Sequence, residues 1–394
     1  MSNWNVLHLS TGHSGGAGLA ARRLNQELGE NGIDSKFAAL SQPDFVPTIN
    51  EFSINRSLSK RIGSVINAQI ASRLSEKIFF SLFSVNNIDV KKTDILGDPN
   101  KTILHLHNWF NLVNMRRLSA LMEMGFNIAI TLHDERLLTG GCHYTFDCKK
   151  FQTDCGICPE LALPLSRIPK RNLYNFSQIN QSHFHKVKFI APSKWLLNQT
   201  KLSSTLNDKD VVFIPNLLPK AFQSNILASN KRAKAKFNIG VASMNNNSYV
   251  KGGDVLNELE ALLQNSNYPV EILKLSEMNL LNNGMSYFWE QIDCLLVLSR
   301  ADNSPNVIHE AKQLGIPIIA TDVGGILELL DNDFDLILKS QDFNAHSILQ
   351  KILVFKNRFF SLDDQLIMKS KFKQYLGNNL KQHIEIYESF FSND

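Results

Sequence analysis

Ser299-Arg300-Ala301-Asp302-Asn303-Ser304-Pro305-Asn306 follows the apolar run Leu295 to Leu298. The chain then passes through Glu310, Gly315-Ile316-Pro317 and Gly324-Gly325-Ile326-Leu327-Glu328. The apolar run has the length of a strand. Ser304 is placed to cap a helix, and Pro305 suits its first turn, where an amide has no partner to lose. Gly315 is a helix stop. Ile316 to Ala320 reads as a second buried strand, and Gly324-Gly325 allows a close backbone approach before a further helix. The stretch is therefore a pair of strand–loop–helix units, the pattern of a parallel α/β sheet. Ligands of such sheets bind beyond the carboxyl ends of the strands, where helix N-termini present amides to an anion such as phosphate. Glu310 is placed as an acceptor for sugar hydroxyls, and Asp302 lies on the loop above the same region.

The same stretch resembles the donor-sugar signature of the retaining glycosyltransferases of family 4, which have the GT-B fold. That signature is an acid and a glutamate at the spacing of Asp302 and Glu310, then a Gly-x-Pro strand and a Gly-Gly-x-x-Glu turn. The departure is an aspartate, Asp302, where the family has glutamate. Polysaccharide-building relatives carry a similar Arg-x-Asp-Asn-x-Pro-Asn string. The resemblance implies an α/β protein of two Rossmann-like domains facing across a cleft, with a C-terminal helix crossing back. It places an acceptor-side domain at 1–220, a nucleotide-sugar domain at 221–375 and the returning helix at 376–394.

Composition is compatible with this. A chain of 394 residues with 43% hydrophobic and 20% charged residues suits two soluble globular domains. A net charge of +4 is small for this length and argues against a nucleic-acid partner. Met1-Ser2-Asn3-Trp4 lacks a basic start followed by an apolar run, so no signal peptide is expected. No apolar run has the length of a membrane span, and the expected compartment is the cytoplasm.

From the N-terminus, Asn5 to Ser10 reads as a strand, followed by a glycine loop that includes Gly16 and a helix from about Ala17 to Glu30. Gly16-Ala17-Gly18-Leu19-Ala20-Ala21 fits a dinucleotide fingerprint. The next strand, however, ends in Ser41-Gln42 and not in the acid that holds a ribose, so the loop is read as a ligand-lining turn. Tyr-x-x-x-Lys pairs, which a sugar-nucleotide epimerase needs, are absent. Arg56 to Lys92 carries basic residues among Ile62, Val65, Ile66, Ile70, Leu74 and Ile78 at helical spacing. Two readings stand: a basic helix on an anionic inner-membrane surface, and a core-facing helix with solvated lysines.

Thr102 to His107 and Phe126 to Leu132 read as strands with histidines, His107 and His133, at their carboxyl ends. The resemblance makes His133 the histidine that faces the donor sugar; Asp134, next in the chain, either fixes its tautomer or points elsewhere. His107 is open between acceptor contact and packing, and His105 has no role. Cys142, Cys148, Cys155 and Cys158 crowd one insert, 140–160, which suggests a structural zinc site over free thiols or a disulfide. Colanic-acid transferases have a similar insert. Strands follow at Val187 to Ser193 and Val211 to Ile214, then a polar, basic linker between about Leu217 and Lys236.

The second half restarts at Phe237 to Ala242, with further strands at Val270 to Leu275, Asp293 to Leu298, Ile316 to Thr321 and Asp335 to Leu338. In the family a lysine here, matched by Lys251, neutralises the donor pyrophosphate with an upstream arginine. This chain has Met244-Asn245-Asn246-Asn247 there, and Arg300 is the candidate second cation. The resemblance thus implies catalytic roles for His133, Asp302 and Glu310, and donor contacts from Gly16, Lys251, Arg300, Asn303, Ser304, Asn306, Gly324, Gly325 and Glu328. It implies a UDP- or GDP-linked sugar donor, a glycan or lipid-linked oligosaccharide acceptor, and no cofactor for catalysis. The rival is a silent nucleotide-sugar or glycan binder of the same fold. Asp331-Asn332-Asp333 and Asp333-Phe334-Asp335 are read as an acidic turn, not a metal site.

Overall fold

The computed structural model describes residues 3–55, 80–82, 93–163, 165–178, 181–218, 236–243, 248–278, 284–358 and 360–392. The candidate membrane-surface helix lies outside the described residues except for 80–82, and so does most of the linker. Among the described residues no helix is long and apolar enough to cross a membrane. The chain forms two compact units, Met1–Leu217 with Asn378–Asp394, and Leu218–Gly377.

The first unit is built on a seven-stranded sheet. Its strands are β1 (Asn5–Ser10), β2 (Ser35–Leu40), β3 (Glu51–Ile54), β4 (Thr102–Leu106), β5 (Asn127–Thr131), β6 (Val187–Ala191) and β7 (Val211–Phe213). The order is β3-β2-β1-β4-β5-β6-β7 and every pairing is parallel. Successive side chains of a strand face opposite ways, and both faces of this sheet are covered, so its strands read as continuous apolar runs. Leu7, Leu9, Leu104, Leu106, Ile128 and Ile130 enter one core cluster. Val6, Ile103, Ala129 and Ile190 face the other way, against Tyr387 and Ile386. Those two residues belong to helix Asn379–Glu388, so the C-terminal helix does close the N-terminal sheet. Asn378 caps it by accepting from the Lys381 amide, and Asn379 Nδ2 donates to the carbonyls of Pro215 and Asn216.

The second unit is built on β8 (Phe237–Val241), β9 (Val270–Lys274), β10 (Cys294–Val297), β11 (Ile318–Thr321) and β12 (Leu336–Leu338), in the order β12-β11-β10-β8-β9. All pairings are again parallel. The acids of the Asp331–Asp335 turn are paired, Asp331 and Asp333 with Lys371 and Asp335 with Lys312. Asp335 also accepts from the amides of Ile318 and Asp331, which locks the turn beneath the sheet.

Each sheet has a switch point, where connections leave in opposite directions and a crevice opens beyond the carboxyl ends. In the first sheet it lies between β1 and β4, and in the second between β8 and β10.

Candidate active site

In the second unit the loops after β8, β10 and β11 converge. Beyond β8 the described residues resume before a 3-10 turn, Tyr249–Lys251, and Gly252 then opens helix Gly253–Gln264 with φ 73°. A Cβ at Gly252 would stand 2.1 Å from the Leu298 carbonyl oxygen, so only glycine lets this loop sit on the end of β10. The Arg300 amide donates to the Val250 carbonyl at 2.7 Å. The Arg300 guanidinium grips both oxygens of Asp254, at 2.6 and 2.7 Å, and stacks over Tyr249. Hydrogen bonds from Arg300 hold the Asp254 carboxyl below its usual range. The expected second cation thus clamps the Lys251 loop through Asp254 and the Tyr249 carbonyl. Lys251 itself reaches Asp302, with Nζ to Oδ2 at 2.5 Å.

Helix Asn306–Leu314 begins differently from the expectation. Pro305 is its N-cap residue, and no side chain caps it. Ser304 Oγ lies 2.9 Å from His309 Nε2 instead, drawn into the helix's side and not over its end. Asn303 and Glu310 are buried at 4% and 3% exposure. The helix stops at Gly315, as expected.

After β11 the Gly-Gly turn leads into a 3-10 helix, Gly324–Leu329, and not an α-helix. The Gly325 amide donates to the Asp302 carbonyl at 3.1 Å. What approaches Gly324 closely is that same carbonyl, so the glycines here join two loops of the site. Glu328 accepts from the Tyr375 hydroxyl at 2.7 Å, tying the turn to helix Leu362–Leu376. Burial, with the Glu328 charge second, pushes the Tyr375 hydroxyl well above its ordinary pKa.

In the first unit the switch point carries histidines. The Thr11 amide donates to Asn108 O and the His107 amide to Leu9 O, which joins the loops after β1 and β4. Gly16 lies in the first turn of helix Gly15–Glu30, where a Cβ would meet open space. His107 Nδ1 lies 3.0 Å from His133 Nε2, and His107 Nε2 lies 3.0 Å from His8 Nδ1. His105 contacts Tyr387 Oη through Nδ1 and Thr131 Oγ1 through Nε2. Burial lowers the pKa of His133 to about 4, and burial together with His383 lowers that of His8 to about 3. His105 and His107 are held well below the usual histidine range, chiefly by burial.

Asp134 does not orient His133. Its Oδ2 lies 2.5 Å from His143 Nδ1 and its Oδ1 accepts from the Arg136 amide. Adjacent residues at a strand end diverge, and the ring within hydrogen-bond distance of His133 is that of His107. Ser81 Oγ lies 2.7 Å from His143 Nε2, which gives Ser81, His143 and Asp134 the order of a nucleophilic triad. The Ser81 amide, however, already donates to Gly141 O, and the Ser81 carbonyl is held by Arg136. An oxyanion site at that amide is thus closed, and the trio acts as a clamp.

The four cysteines of the insert are neighbours. Burial raises the Cys142, Cys155 and Cys158 thiols, and adjacent thiols add to the effect, with Cys155 at about 12. Among the described residues no three thiols come within 4.8 Å of one another. His8, His105 and His107 do, but both nitrogens of His105 and of His107 are already hydrogen-bonded.

Residues 197–370 match the family model described as Glycosyl transferases group 1. The chain carries a group 1 glycosyltransferase domain. That match contains every candidate residue of the second unit, from Lys251 to Glu328, and leaves Gly16, His107 and His133 outside. The transferase is 23% identical over 327 residues to WcaC of Escherichia coli (strain K12), a protein named for colanic acid biosynthesis as a glycosyl transferase; the alignment covers 74% of this chain and 76% of WcaC. Among solved structures it is similar to a glycosyltransferase of Rickettsia africae ESF-5, at 14% identity and TM-score 0.58, covering 99% of each chain. It is also similar to HepE of Anabaena in complex with UDP, at 13% identity and TM-score 0.56, covering 98% of this chain and 100% of that one. The transferase has the GT-B fold, two parallel α/β units.

Proposed function

We propose that this glycosyltransferase is a retaining enzyme that moves a sugar from a nucleotide-diphosphate donor to a glycan or lipid-linked acceptor in bacterial surface-polysaccharide synthesis. The observation that carries the reading is the Lys251–Asp302 pair at the switch point of the second sheet. Its side chains are 33% and 13% exposed, so an incoming phosphate can take the lysine from the aspartate at small desolvation cost. Lys251 then neutralises the charge that grows on the leaving pyrophosphate. Asp302, released, accepts from donor-sugar hydroxyls beside Asn303, and Glu310 accepts from the nucleotide ribose. His133 contacts the donor sugar. The departing phosphate oxygen takes the acceptor proton, as the resemblance implies for retention. HepE, solved with UDP and with UDP-glucose, supports the donor class, and WcaC, named for colanic acid biosynthesis, supports the acceptor class.

Titration with UDP and GDP, followed by donor hydrolysis across their common sugars, tests this. One nucleotide should bind and its sugar should be released. Lys251→Ala should weaken nucleotide binding by roughly tenfold or more, the scale of a lost charge-assisted hydrogen bond. Unchanged affinity in that variant counts against the site, and binding without turnover identifies the silent binder.

The thiol cluster is proposed to hold zinc on Cys142, Cys148, Cys155 and Cys158. The support is the gathering of four cysteines in one insert, where burial first and neighbouring thiols after it oppose ionisation, a cost that a bound cation offsets; binding must draw the thiols together, since among the described residues no three lie within 4.8 Å. Elemental analysis of protein never exposed to chelator should give about one zinc per chain, the capacity of one four-thiolate site. Cys155→Ser should lose it. Metal-free wild type rejects the proposal.

A further inference from the structure

Register brings His8 of β1 opposite His105 of β4, and the loops beyond β4 and β5 deliver His107 and His133 to the same end of the sheet. We propose that His8 and His107 are positioning residues for His133: ring-to-ring hydrogen bonds make the three histidines one tautomeric unit, so a buried ring on β1 sets the state of the nitrogen that His133 offers to substrate. The inference rests on the reading of His133 as a donor-side group.

A neutral imidazole has one N–H and one lone pair. Burial keeps these rings neutral near pH 7. His107 has both nitrogens in ring-to-ring contacts, so it must donate at one and accept at the other. Suppose its Nδ1–H donates to His133 Nε2. Its Nε2 then accepts from His8 Nδ1–H, and His133 carries Nδ1–H outward. In the reverse polarity His133 Nε2–H donates to His107 Nδ1, His107 Nε2–H donates to His8 Nδ1, and His133 presents a bare Nδ1. In either case all three rings carry hydrogen on the same nitrogen. A mixed set would put two N–H groups, or two lone pairs, face to face at 3.0 Å. His133 Nδ1 has no hydrogen-bond partner among the described residues, which leaves it for substrate. His8 Nε2 is buried and without a partner, so the chain ends there. His8, with no place in the donor site, thus selects whether His133 donates to a substrate oxygen or accepts from a hydroxyl.

Nitrogen-15 spectra of the full-length protein labelled at histidine test this, since ring shifts separate protonated from bare nitrogens. His8, His107 and His133 should report the same protonated nitrogen. In His8→Phe the His133 signals should move toward exchange-averaged values, and kcat should fall roughly tenfold at unchanged donor KM, the scale of one lost hydrogen bond. Different protonated nitrogens among the wild-type rings, or His133 shifts unmoved in His8→Phe, overturn the proposal. Should His8→Phe not fold, the wild-type spectrum decides alone. It also decides when no donor is turned over, which separates failure of the relay from failure of the transferase reading.

Discussion

Acidification from pH 7.5 to pH 5 should destabilise the first unit strongly while the second is affected far less. Five histidines of the first unit, His8, His105, His107, His133 and His383, have folded pKa values driven below the ordinary 6.5, with burial the largest cause. The unfolded chain therefore takes up protons first. The stability these groups confer is complete above pH 6.5 and is lost as pH falls from there toward about 4 for His133 and His383 and about 3 for His8. Each costs roughly 1 kcal/mol per pH unit over that window. Five groups acting in the same direction weigh heavily against the whole stability of a domain, about 5–15 kcal/mol. Glu135 acts in the opposite sense: burial raises it to about 7, so its contribution is recovered on acidification, but it is one group against five. Of the chain's 11 histidines only His309 and His346 fall in Leu218–Gly377, which is why the second unit should outlast the first. Urea unfolding followed by far-ultraviolet circular dichroism at a series of pH values gives the result. Two transitions that separate below pH 6.5 are expected. A single transition whose midpoint is unchanged between pH 7.5 and pH 5 defeats this linkage.

The strands were legible because parallel sheets bury both faces, and apolar runs such as Leu295 to Leu298 and Ile318 to Ala320 suit few structures besides a buried strand. The edge strand β3 was not, since Glu51–Ile54 is a short, half-exposed segment among polar residues. Candidate residues of the second unit could be named from their motifs, but their partners could not. Lys251 meets Asp302 across 51 positions, Arg300 meets Asp254 across 46, and Glu328 meets Tyr375 across 47. Such pairings follow from strand order and register, which local patterns do not contain. The same holds for His105, which has no local signal beyond its place two residues before His107. Its role in bonding Tyr387 appears only once the C-terminal helix is seated. Ser304 shows the converse failure. A residue with good capping propensity lost the helix end to Pro305 because His309 offered a partner to the side.

Gly324→Ala should lower kcat/KM by roughly a hundredfold while leaving the fold intact. Gly324 has φ 55°, and a Cβ there would stand 2.0 Å from the Asp302 carbonyl oxygen. The left-handed conformation alone costs an alanine roughly 1 kcal/mol. The collision is the larger effect, because its partner is backbone and cannot rotate away as the end of a side chain can. Relief requires the Asp302 loop or the Gly-Gly turn to move by on the order of 1 Å, a displacement that costs about a hundredfold when it misplaces reacting groups. The move also stretches the Gly325 amide's bond to Asp302 and carries the carboxylate away from Lys251, so donor phosphate and donor sugar lose their contacts together. Gly32→Ala is the control: its φ is 79°, but a Cβ there meets nothing within 4 Å, so it carries the conformational strain without the collision. Comparable melting temperatures with a large difference in kcat/KM would locate the damage in the loop junction. If Gly324→Ala and Gly32→Ala turn over donor at the same rate, the Gly-Gly turn does not hold Asp302 in place, and the second-unit site loses its organising contact.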